Sequence, residues 1–543
     1  MSKRFFVEHW FVLFTGLSFL LFSGCEQYTG NEEFYEIQVP EDKLRQIEVL
    51  DLEQMEDEGK KVPDVNEAAA KELELTLEES RALALENNLN LKVQLVNPAI
   101  AAQRVREEEA KFEAAFSSNI NYSKTDIPIS TELAGSNVDS SRVDMGVQVP
   151  LRTGGTVNFN LVDSRIKTDN IFSTLNPAYI TNLSVSISQP LLQNAGNRVN
   201  THSIRIAEYD RQTIEAQTKL EVITVIAAAD RAYWRLYAAR QELAVRKQQY
   251  DLAQAQLEQA QRFVESGERA QVEVIRADAG VAERLEGIII AENSVRDRER
   301  ELKQILNKPG LETQTRTVLI PSTDVDPVHY DLAEGQMVAV AIENRMEMLE
   351  LELALAKDIS TIDFMRNQAL PAVTLGYTYN INGLGATRGD AYDLLHDKIF
   401  EDHFIGLQVL VPLGNEAAKS RLLQSVYQRR QRLATRERRK TLIELEVLKA
   451  VDQLGANWQR ILASRQSSIL AGRVFKAEKR QFELGLRTST DVLDAQTKFA
   501  EAQSSEIRAL AEYQIAQIDL AFATGTLLGA AKVQWGPIVP ETR

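Results

Sequence analysis

The sequence predicts an internally duplicated α+β membrane protein, in which strands from several chains close a β-barrel that long helices continue. Three observations predict this fold class. A set of motifs occurs twice along the 543 residues. Each copy contains short segments in which apolar and uncharged polar residues alternate, as in a strand with one lipid-facing side. Two stretches without proline, 191–308 and 413–536, are rich in residues that favour long helices.

The first 24 residues are predicted to be a lipoprotein signal peptide. Lys3 and Arg4 precede an apolar run, Trp10–Phe22, and small residues stand directly before Cys25. The run is shorter than the ~20 residues that span a bilayer as a helix. We therefore expect cleavage before Cys25 and acylation of this residue, the only cysteine in the chain. An ordinary secretory signal is the alternative.

Residues 25–72 are predicted to be the lipidated cysteine and an acidic tether. Residues 26–72 carry 15 acidic and five basic side chains, a net charge of −10 in a chain whose total is −16. Such a segment has too few apolar groups to form a core. Glu26 stands where inner-membrane retention signals carry aspartate, which favours delivery to the outer membrane. The rest of the chain is not basic enough to attract nucleic acid.

The two repeats are predicted at residues 73–307 and 332–528, joined by an irregular linker at 308–331 that contains three prolines. The segment Leu85–Leu91 returns as Ile342–Met348. Further matched positions are Phe263, Gly267, Glu273, Val274, Ile275 and Ala277 in the first repeat and Phe482, Gly485, Asp491, Val492, Leu493 and Ala495 in the second.

Each repeat is predicted to contain a short helix, then strands, then a long helical hairpin. The strands are expected at 116–190 and 372–413, the hairpins at 196–307 and 415–525, and a C-terminal tail at 529–543. Gly267 and Gly485 divide each hairpin. The first helix of each hairpin covers about 65 residues, or about 100 Å. Its narrow apolar stripe, interrupted by alanine, predicts coiled-coil packing.

Six alternating segments are the predicted strands, each with one apolar and one uncharged polar face. They are residues 116–124, 142–149, 156–161, 181–189, 373–382 and 404–412, with Leu410 on the wrong face of the last. This pattern is what a membrane barrel with a wet lumen requires. Lipid excludes open sheet edges, so the strands must close into a ring. One chain supplies too few strands for a wide pore, which favours several chains sharing one barrel.

Residues 73–528 resemble the TolC-type outer membrane efflux protein family. The most specific match is the segment Phe482–Gln496, and a second is Gln189-Pro190-Leu191 with Val411-Pro412-Leu413, each leading from a strand into a helix. The resemblance implies a homotrimer, with a β-barrel in the outer-membrane lipid and a long α-helical barrel across the periplasm. It also implies two partners, a periplasmic adaptor (membrane fusion) protein and an inner-membrane pump. Some members of the family carry the same cysteine lipid anchor.

The resemblance further implies a gate at the periplasmic mouth. Asp491 and Asp494, on one face of a helix, would form stacked carboxylate rings that attract cations. Arg487 would latch the closed state to Glu273 through a charge-assisted hydrogen bond. The turns at Gly267 and Gly485 would be the tips that contact the adaptor.

Three features depart from the family pattern. Glu273 replaces an aspartate, and Phe482 replaces a tyrosine whose hydroxyl makes an additional link, so the gate is expected to be held more loosely. The first repeat has four alternating segments, whereas the family prototype has two per repeat. The sequence leaves open whether the extra pair at 142–165 enlarges the barrel, giving six strands per chain instead of four, or projects from the membrane.

The sequence contains no motif of catalysis, phosphate binding or zinc binding, so we predict neither enzymatic activity nor a cofactor. The stretch 390–403 is rich in aspartate and histidine and lies between two predicted strands. We interpret it as an extracellular loop, and whether it binds a cation stays open. The function predicted is a passive export duct of a tripartite efflux or type I secretion system. The alternative is a lipid-anchored periplasmic coiled-coil adaptor or scaffold protein.

Overall fold

The structure, a computed structural model, describes residues 72–129 and 135–536. The predicted signal peptide, Cys25 and the acidic tether up to residue 71 lie outside the described residues. The strands are β1 (Glu72–Leu75), β2 (Ala115–Asp126), β3 (Asn137–Pro150), β4 (Thr156–Thr168), β5 (Ala178–Pro190), β6 (Val318–Pro321), β7 (Ala372–Gly385) and β8 (Glu401–Leu410). The helices of the first repeat are α1 (Leu77–Asn87), α2 (Leu89–Gln94), α3 (Asn97–Ala110), α4 (Asn197–Asn200), α5 (His202–Glu265) and α6 (Val272–Leu306). Those that follow are α7 (Glu334–Asn344), α8 (Met346–Gln368), α9 (Arg388–His396), α10 (Glu416–Glu483), α11 (Ser489–Ala523) and α12 (Leu527–Ala530).

The six long strands form one antiparallel sheet in the order β2-β3-β4-β5-β7-β8. The register places apolar residues in rows across it: Phe116 lies opposite Val147, Val147 opposite Phe159, Phe159 opposite Val185, and Val185 opposite Tyr379. Because directly opposite residues share a face of the sheet, the apolar positions predicted from each strand separately lie on one common face. The predicted pair at 142–165 belongs to this sheet as β3 and β4.

The last strand, β8, departs further from the predicted alternation than expected. Leu410 lies opposite Ala372, on the polar face, as predicted. Phe404 lies opposite Thr378, so a second large apolar side chain also lies on that face. The expectation that Leu410 is the only exception in this strand is therefore wrong, because Phe404 lies six residues before Leu410 and alternation along a strand places both side chains on the same face.

Four helices continue the sheet in the same order as its strands. The helix α3 precedes β2, α5 follows β5 after the short α4, α8 precedes β7, and α10 follows β8. In the helical part, α3 packs on α5, α5 on α8, and α8 on α10. The order of the helices is thus the same as the order of the strands to which they are joined. Strands and helices are two sections of one continuous layer.

The long helices α5 and α10 contain 64 and 68 residues, so each is about 100 Å long at 1.5 Å per residue. They return as α6 and α11, which pack along them. The buried residues of α5 include Ile226, Ala227 and Trp234, the narrow alanine-containing stripe predicted from the sequence. Among the described residues, no helix has an apolar stretch long enough to cross a membrane.

The main core lies where α1, α5 and α6 meet a small parallel pair, β1 and β6. Tyr233, Leu302 and Leu319 are fully buried there, and the Tyr233 hydroxyl donates to the carbonyl of Leu75 at 3.0 Å. The duplication is visible in the backbone as well. Asn88 and Arg345, matched positions of the two repeats, each adopt an extended conformation that separates two short helices.

Three sequence-based expectations about irregular segments are wrong. The linker 308–331 contains β6, which pairs in register with β1, because a short apolar run outweighs the surrounding prolines. The tail is packed up to residue 536, where the described residues end: α12 is followed by Val533 and Trp535, which pack against the main core. The stretch 390–403 is not a loop, because most of it lies in a helix and in a strand.

Residues 388–396 form the helix α9, which overlaps the start of that stretch, and residues 401–403 belong to β8. Thr387 accepts from the amide of Asp390 at 3.2 Å, and the Asp390 carboxylate accepts from the amide of Thr387 at 3.0 Å. This reciprocal capping starts a helix, and Ala391 then buries one side of it against the sheet. The acidic composition suggested a solvated loop, whereas three of these carboxylates accept hydrogen bonds, Asp390 in the cap and Glu401 and Asp402 in β8.

Candidate functional site

The two helical hairpins turn by the same hydrogen-bonded motif. Gly267 and Gly485 have φ angles of 77° and 80°, a conformation that residues with a Cβ rarely adopt. In both turns the amide after the glycine donates to the carbonyl five residues earlier at 2.9 Å, which is the Schellman pattern of a helix end. The predicted tip turns are therefore turns, and they are equivalent between the repeats.

The two tips contact each other through Arg269, a residue that our sequence analysis missed. Its guanidinium donates to the carbonyl of Arg487 at 3.0 Å and lies 5.4 Å from the centre of the Phe482 ring. Phe482 is buried and packs edge-to-face on Phe263 at 5.9 Å. The repeat contained the signal that could have found it, since Arg269 and Arg487 each follow their turn glycine by two residues.

Glu273 joins the first tip to the start of α11. Its carboxylate accepts from the backbone amide of Ser489 at 2.9 Å and pairs with Arg276 at 3.0 Å. Only 7% of Glu273 is exposed. Burial alone would raise the pKa of Glu273, but the hydrogen bonds from Ser489 and the nearby guanidinium groups of Arg276 and Arg269 outweigh it, and the pKa is lowered. The carboxylate is thus charged at neutral pH.

Asp491 and Asp494 lie in the first turns of α11, three residues apart. The Asp491 carboxylate accepts from the amide and the hydroxyl of Thr488, at 2.9 and 2.8 Å, and these hydrogen bonds lower its pKa. Thr488 in turn caps the helix. Asp494 is exposed. The first of the two predicted gate carboxylates therefore has a structural role in the helix cap, and the role of both in a gate stays a prediction.

The predicted latch pair is not brought together within the described chain. Arg487 pairs with Glu478 at 3.1 Å and donates to the side chain of Gln481 at 3.0 Å. Glu273 has its own partners in Arg276 and Ser489. A contact between Arg487 and Glu273 stays a prediction.

The described residues contain no group of three or more histidine, cysteine, aspartate or glutamate side chains that could hold a metal ion. In the stretch 390–403, two of the acidic and imidazole groups illustrate the contacts made instead. His403 stacks on Tyr379 with ring centres 5.0 Å apart, and Asp402 accepts from Asn382 at 2.6 Å. Nothing in this geometry favours the cation site that the sequence left open.

The sheet ends in two strands that have a neighbour on one side only. All residues of β2 are exposed, and so are all but one of β8. Large apolar side chains point from both strands into open space, among them Phe116 and Ile120 on β2 and Ile405 and Leu407 on β8. Long apolar edge strands of this kind require a covering partner.

Two stretches of the sequence, residues 163–308 and 337–526, match the family model described as outer membrane efflux protein. The chain belongs to this family. One matched stretch falls in each repeat, which agrees with the duplication. The TolC-type resemblance is thus confirmed, and the chain is an outer-membrane channel for efflux. The alternative of a coiled-coil adaptor or scaffold protein is wrong.

A relative and two solved structures agree with this assignment. Outer membrane protein TolC of Vibrio cholerae serotype O1 is 24% identical over 393 residues, which are 72% of this chain and 84% of that protein. The outer-membrane channel OprN has a TM-score of 0.60 at 14% identity, over 83% of this chain and 90% of that one. The Campylobacter jejuni CmeC outer membrane channel also has a TM-score of 0.60 at 14% identity, over 83% and 86%. These structures share the fold.

Proposed function

We propose that this efflux channel is a passive trimeric duct, with its strands closed into a shared barrel in the outer membrane and its helices forming a tube across the periplasm. The observation that carries the proposal is the six-stranded sheet, which has one apolar face and two edges without partners. A sheet of long strands with one apolar face is suited to contact with lipid. An open edge in lipid leaves backbone groups without hydrogen bonds, each costing several kcal/mol.

The edges are complementary if one chain's β2 pairs with the next chain's β8. Since the sheet order is also the helix order, the same step places α3 of one chain beside α10 of its neighbour. A head-to-tail contact of this kind closes into a ring when the rotation fits. The number three is taken from the family resemblance.

The duct has no chemistry of its own, and the energy for transport comes from an inner-membrane pump. A periplasmic adaptor contacts the tip turns at Gly267 and Gly485. Around the threefold axis, Asp491 and Asp494 place six carboxylates at the periplasmic mouth, a constriction that attracts cations and repels anions. In the closed trimer, Arg487 of one chain meets Glu273 of the next and holds the tips together.

A lipid anchor at Cys25 is the remaining part of the proposal. The basic, apolar and small residues before Cys25 support it, and several acyl chains would hold the protein firmly to one leaflet. Labelling cells with radioactive palmitate tests it: the wild-type chain takes up label and Cys25→Ser does not. Label on the Cys25→Ser chain, or none on the wild type, contradicts the anchor.

The duct itself is tested with the full chain purified in detergent. We expect a trimer by light scattering, and stable conductance steps after insertion into planar bilayers. A monomer without conductance would overturn the proposal. As a matched pair, Ile405→Asp on the open edge of β8 should prevent trimers, because it buries a charge at the joint, whereas Glu416→Asp beyond that strand should not.

A further inference from the structure

The hairpin β3–β4 is an integral part of the sheet. Its strands pair in unbroken register with each other and with both neighbours, β2 and β5. One row of directly opposite residues crosses the hairpin with no shift in register: Ser117, Gly146, Asn160 and Ser184. A hairpin that projected from the membrane would have lost these ladders, so its strands add to the width of the wall.

The turn of this hairpin is fixed at the helical end of the sheet. The amide of Gly196 donates to the carbonyl of Thr153 at 2.9 Å, and the Thr153 hydroxyl donates to the side chain of Gln189 at 2.9 Å. Gly154 has a φ of 92°, and a Cβ at this position would collide with the carbonyl oxygen of Asn194. The turn of the hairpin thus lies beside the start of the long helix, whereas its two outer ends, Asn137 and Thr168, lie at the opposite end of the sheet, and no helix extends from the hairpin.

Each chain therefore supplies six strands and the four helices that continue the sheet. The circumference that the strands occupy can be compared with the circumference that the helices occupy. At about 4.8 Å between strands and a tilt of about 40°, each strand occupies about 6.3 Å of a barrel's circumference. Six strands then need about 38 Å, and four strands about 25 Å. Helices pack about 9 to 10 Å apart, so four of them also need about 38 Å. The extra hairpin makes the strand section as wide as the helical section.

We propose that three chains share an eighteen-stranded barrel as wide as the twelve-helix tube beneath it, through which solutes of large hydrated cross-section pass without a narrowing at the junction. This inference rests on the proposed trimeric duct. Eighteen strands give about 36 Å between opposite backbones, against about 24 Å for twelve at the same tilt. A layer of side chains about 5 Å thick on each side leaves a bore of about 26 Å.

The polar face suits such a bore, because apart from Phe404 and Leu410 on β8 most of its side chains are polar and uncharged. Gly146 leaves room for two of these polar groups: a Cβ would lie 2.6 Å from the side-chain oxygen of Asn160 and 3.2 Å from that of Ser117. The charges of Arg142 and Asp144 on this face neutralise each other in an ion pair of 2.8 Å. The membrane section accordingly carries few charges on its polar face, and the cargo it suits is bulky, hydrated and polar.

Electron cryo-microscopy of the full-length trimer in lipid nanodiscs tests the strand number directly. We expect eighteen strands in the wall for the wild type. Removing residues 135–173, which joins β2 to β5 and leaves four strands per chain, should give twelve. A control that removes residues 171–174, between β4 and β5, should keep eighteen. Neutral polymers of graded size, added on the strand side in planar bilayers, should show a cut-off about 12 Å larger in the wild type than in the four-strand variant.

The outcomes separate this inference from the proposed function. A wild-type trimer with twelve strands in its wall and the hairpin outside it overturns the wide bore and leaves the duct intact. A sheet that stays open or a protein that stays monomeric overturns both. If the four-strand variant fails to fold, the strand count and the polymer cut-off of the wild type decide alone, since a cut-off near 14 Å contradicts the inference.

Discussion

The carboxylate of Glu273 accepts a hydrogen bond of 2.9 Å from the backbone amide of Ser489, although 216 residues separate them. Ser489 is the first residue of α11, and the first amides of a helix have no partner within it. A buried carboxylate at this position accepts a hydrogen bond from one of these free amides. Its negative charge is also stabilised by the positive end of the helix dipole. The tip of the first repeat therefore helps to hold the helix that carries Asp491 and Asp494.

Glu273→Ala should loosen the tips and raise the open probability of the channel in planar bilayers by roughly tenfold. The loss of one hydrogen bond to a charged group costs about 1.5 to 3 kcal/mol, and each 1.4 kcal/mol is a factor of ten. Glu273→Gln, which keeps an acceptor oxygen, should have a smaller effect. Glu286→Ala, an exposed position on the same helix α6, is the matched control, and equal recordings for Glu273→Ala and Glu286→Ala would refute the role.

Acid should open the tips in the same way. The pKa values of Glu273 and Asp491 are both lowered in the fold, from 4.5 and 3.8. For an acid with a lowered pKa, the stabilisation is complete above the ordinary value and is lost as pH falls below it. We expect constant open probability from neutral pH down to about 5, and a rise below about 4. Glu273→Gln should show a weaker rise, and an identical pH profile would exclude Glu273 as a contributor.

The repeat, the strands and the turns could be predicted from the sequence because each depends on residues that are close together in the chain. Alternation in β7 or β4 reflects two faces in different surroundings, and Gly267 and Gly485 are dictated by a positive φ. The pairing of β1 with β6 was not predictable in this way. It joins segments about 250 residues apart, and a four-residue strand is too short for a period to be recognised.

The residues of the candidate site lie together at one hairpin tip, their role as a gate stays a prediction, and their contacts within the chain were not predictable from the sequence. The family pattern places Asp491, Asp494 and Arg487 at one tip, yet it cannot state which neighbour each side chain meets. Within the chain, Arg487 pairs with Glu478, a residue nine positions earlier on α10. Arg269 escaped notice because its contacts are with a carbonyl and a ring, and neither leaves a charge pattern in the sequence.

Asp494→Asn should weaken the block of the channel by multivalent cations, because it removes three charges from the proposed ring. Asp491→Asn should do the same, but also cost about 1 kcal/mol in helix capping, since Asp491 accepts from Thr488. The comparison is made by titrating a trivalent cation during conductance recordings. The control Glu501→Gln, an exposed position farther along α11, should be blocked as the wild type is. An unchanged block in the double Asn variant would remove both aspartates from the constriction.

Arg81 and Asp230 form the most buried ion pair between the short helix α1 and the long helix α5. Both contacts are 2.8 Å long, and the side chains are 16% and 0% exposed. Burial raises the pKa of Asp230, and the hydrogen bonds from Arg81 oppose this. Arg81→Leu should therefore lower the free energy of unfolding by about 3 to 5 kcal/mol, because it leaves a buried carboxylate without its partner.

Thermal unfolding of the purified proteins, followed by circular dichroism, measures this loss as the fall in Tm of Arg81→Leu relative to the wild type. Lys247→Leu is the control, because Lys247 and Glu292 are 3.7 Å apart with side chains 56% and 39% exposed, and exposed pairs contribute about 0 to 1 kcal/mol. Acid supplies a second check. Once Asp230 is protonated its burial costs less, so the difference in Tm between Arg81→Leu and wild type should shrink as pH falls. A Tm equal to that of Lys247→Leu at neutral pH would show that the pair does not hold α1 to α5.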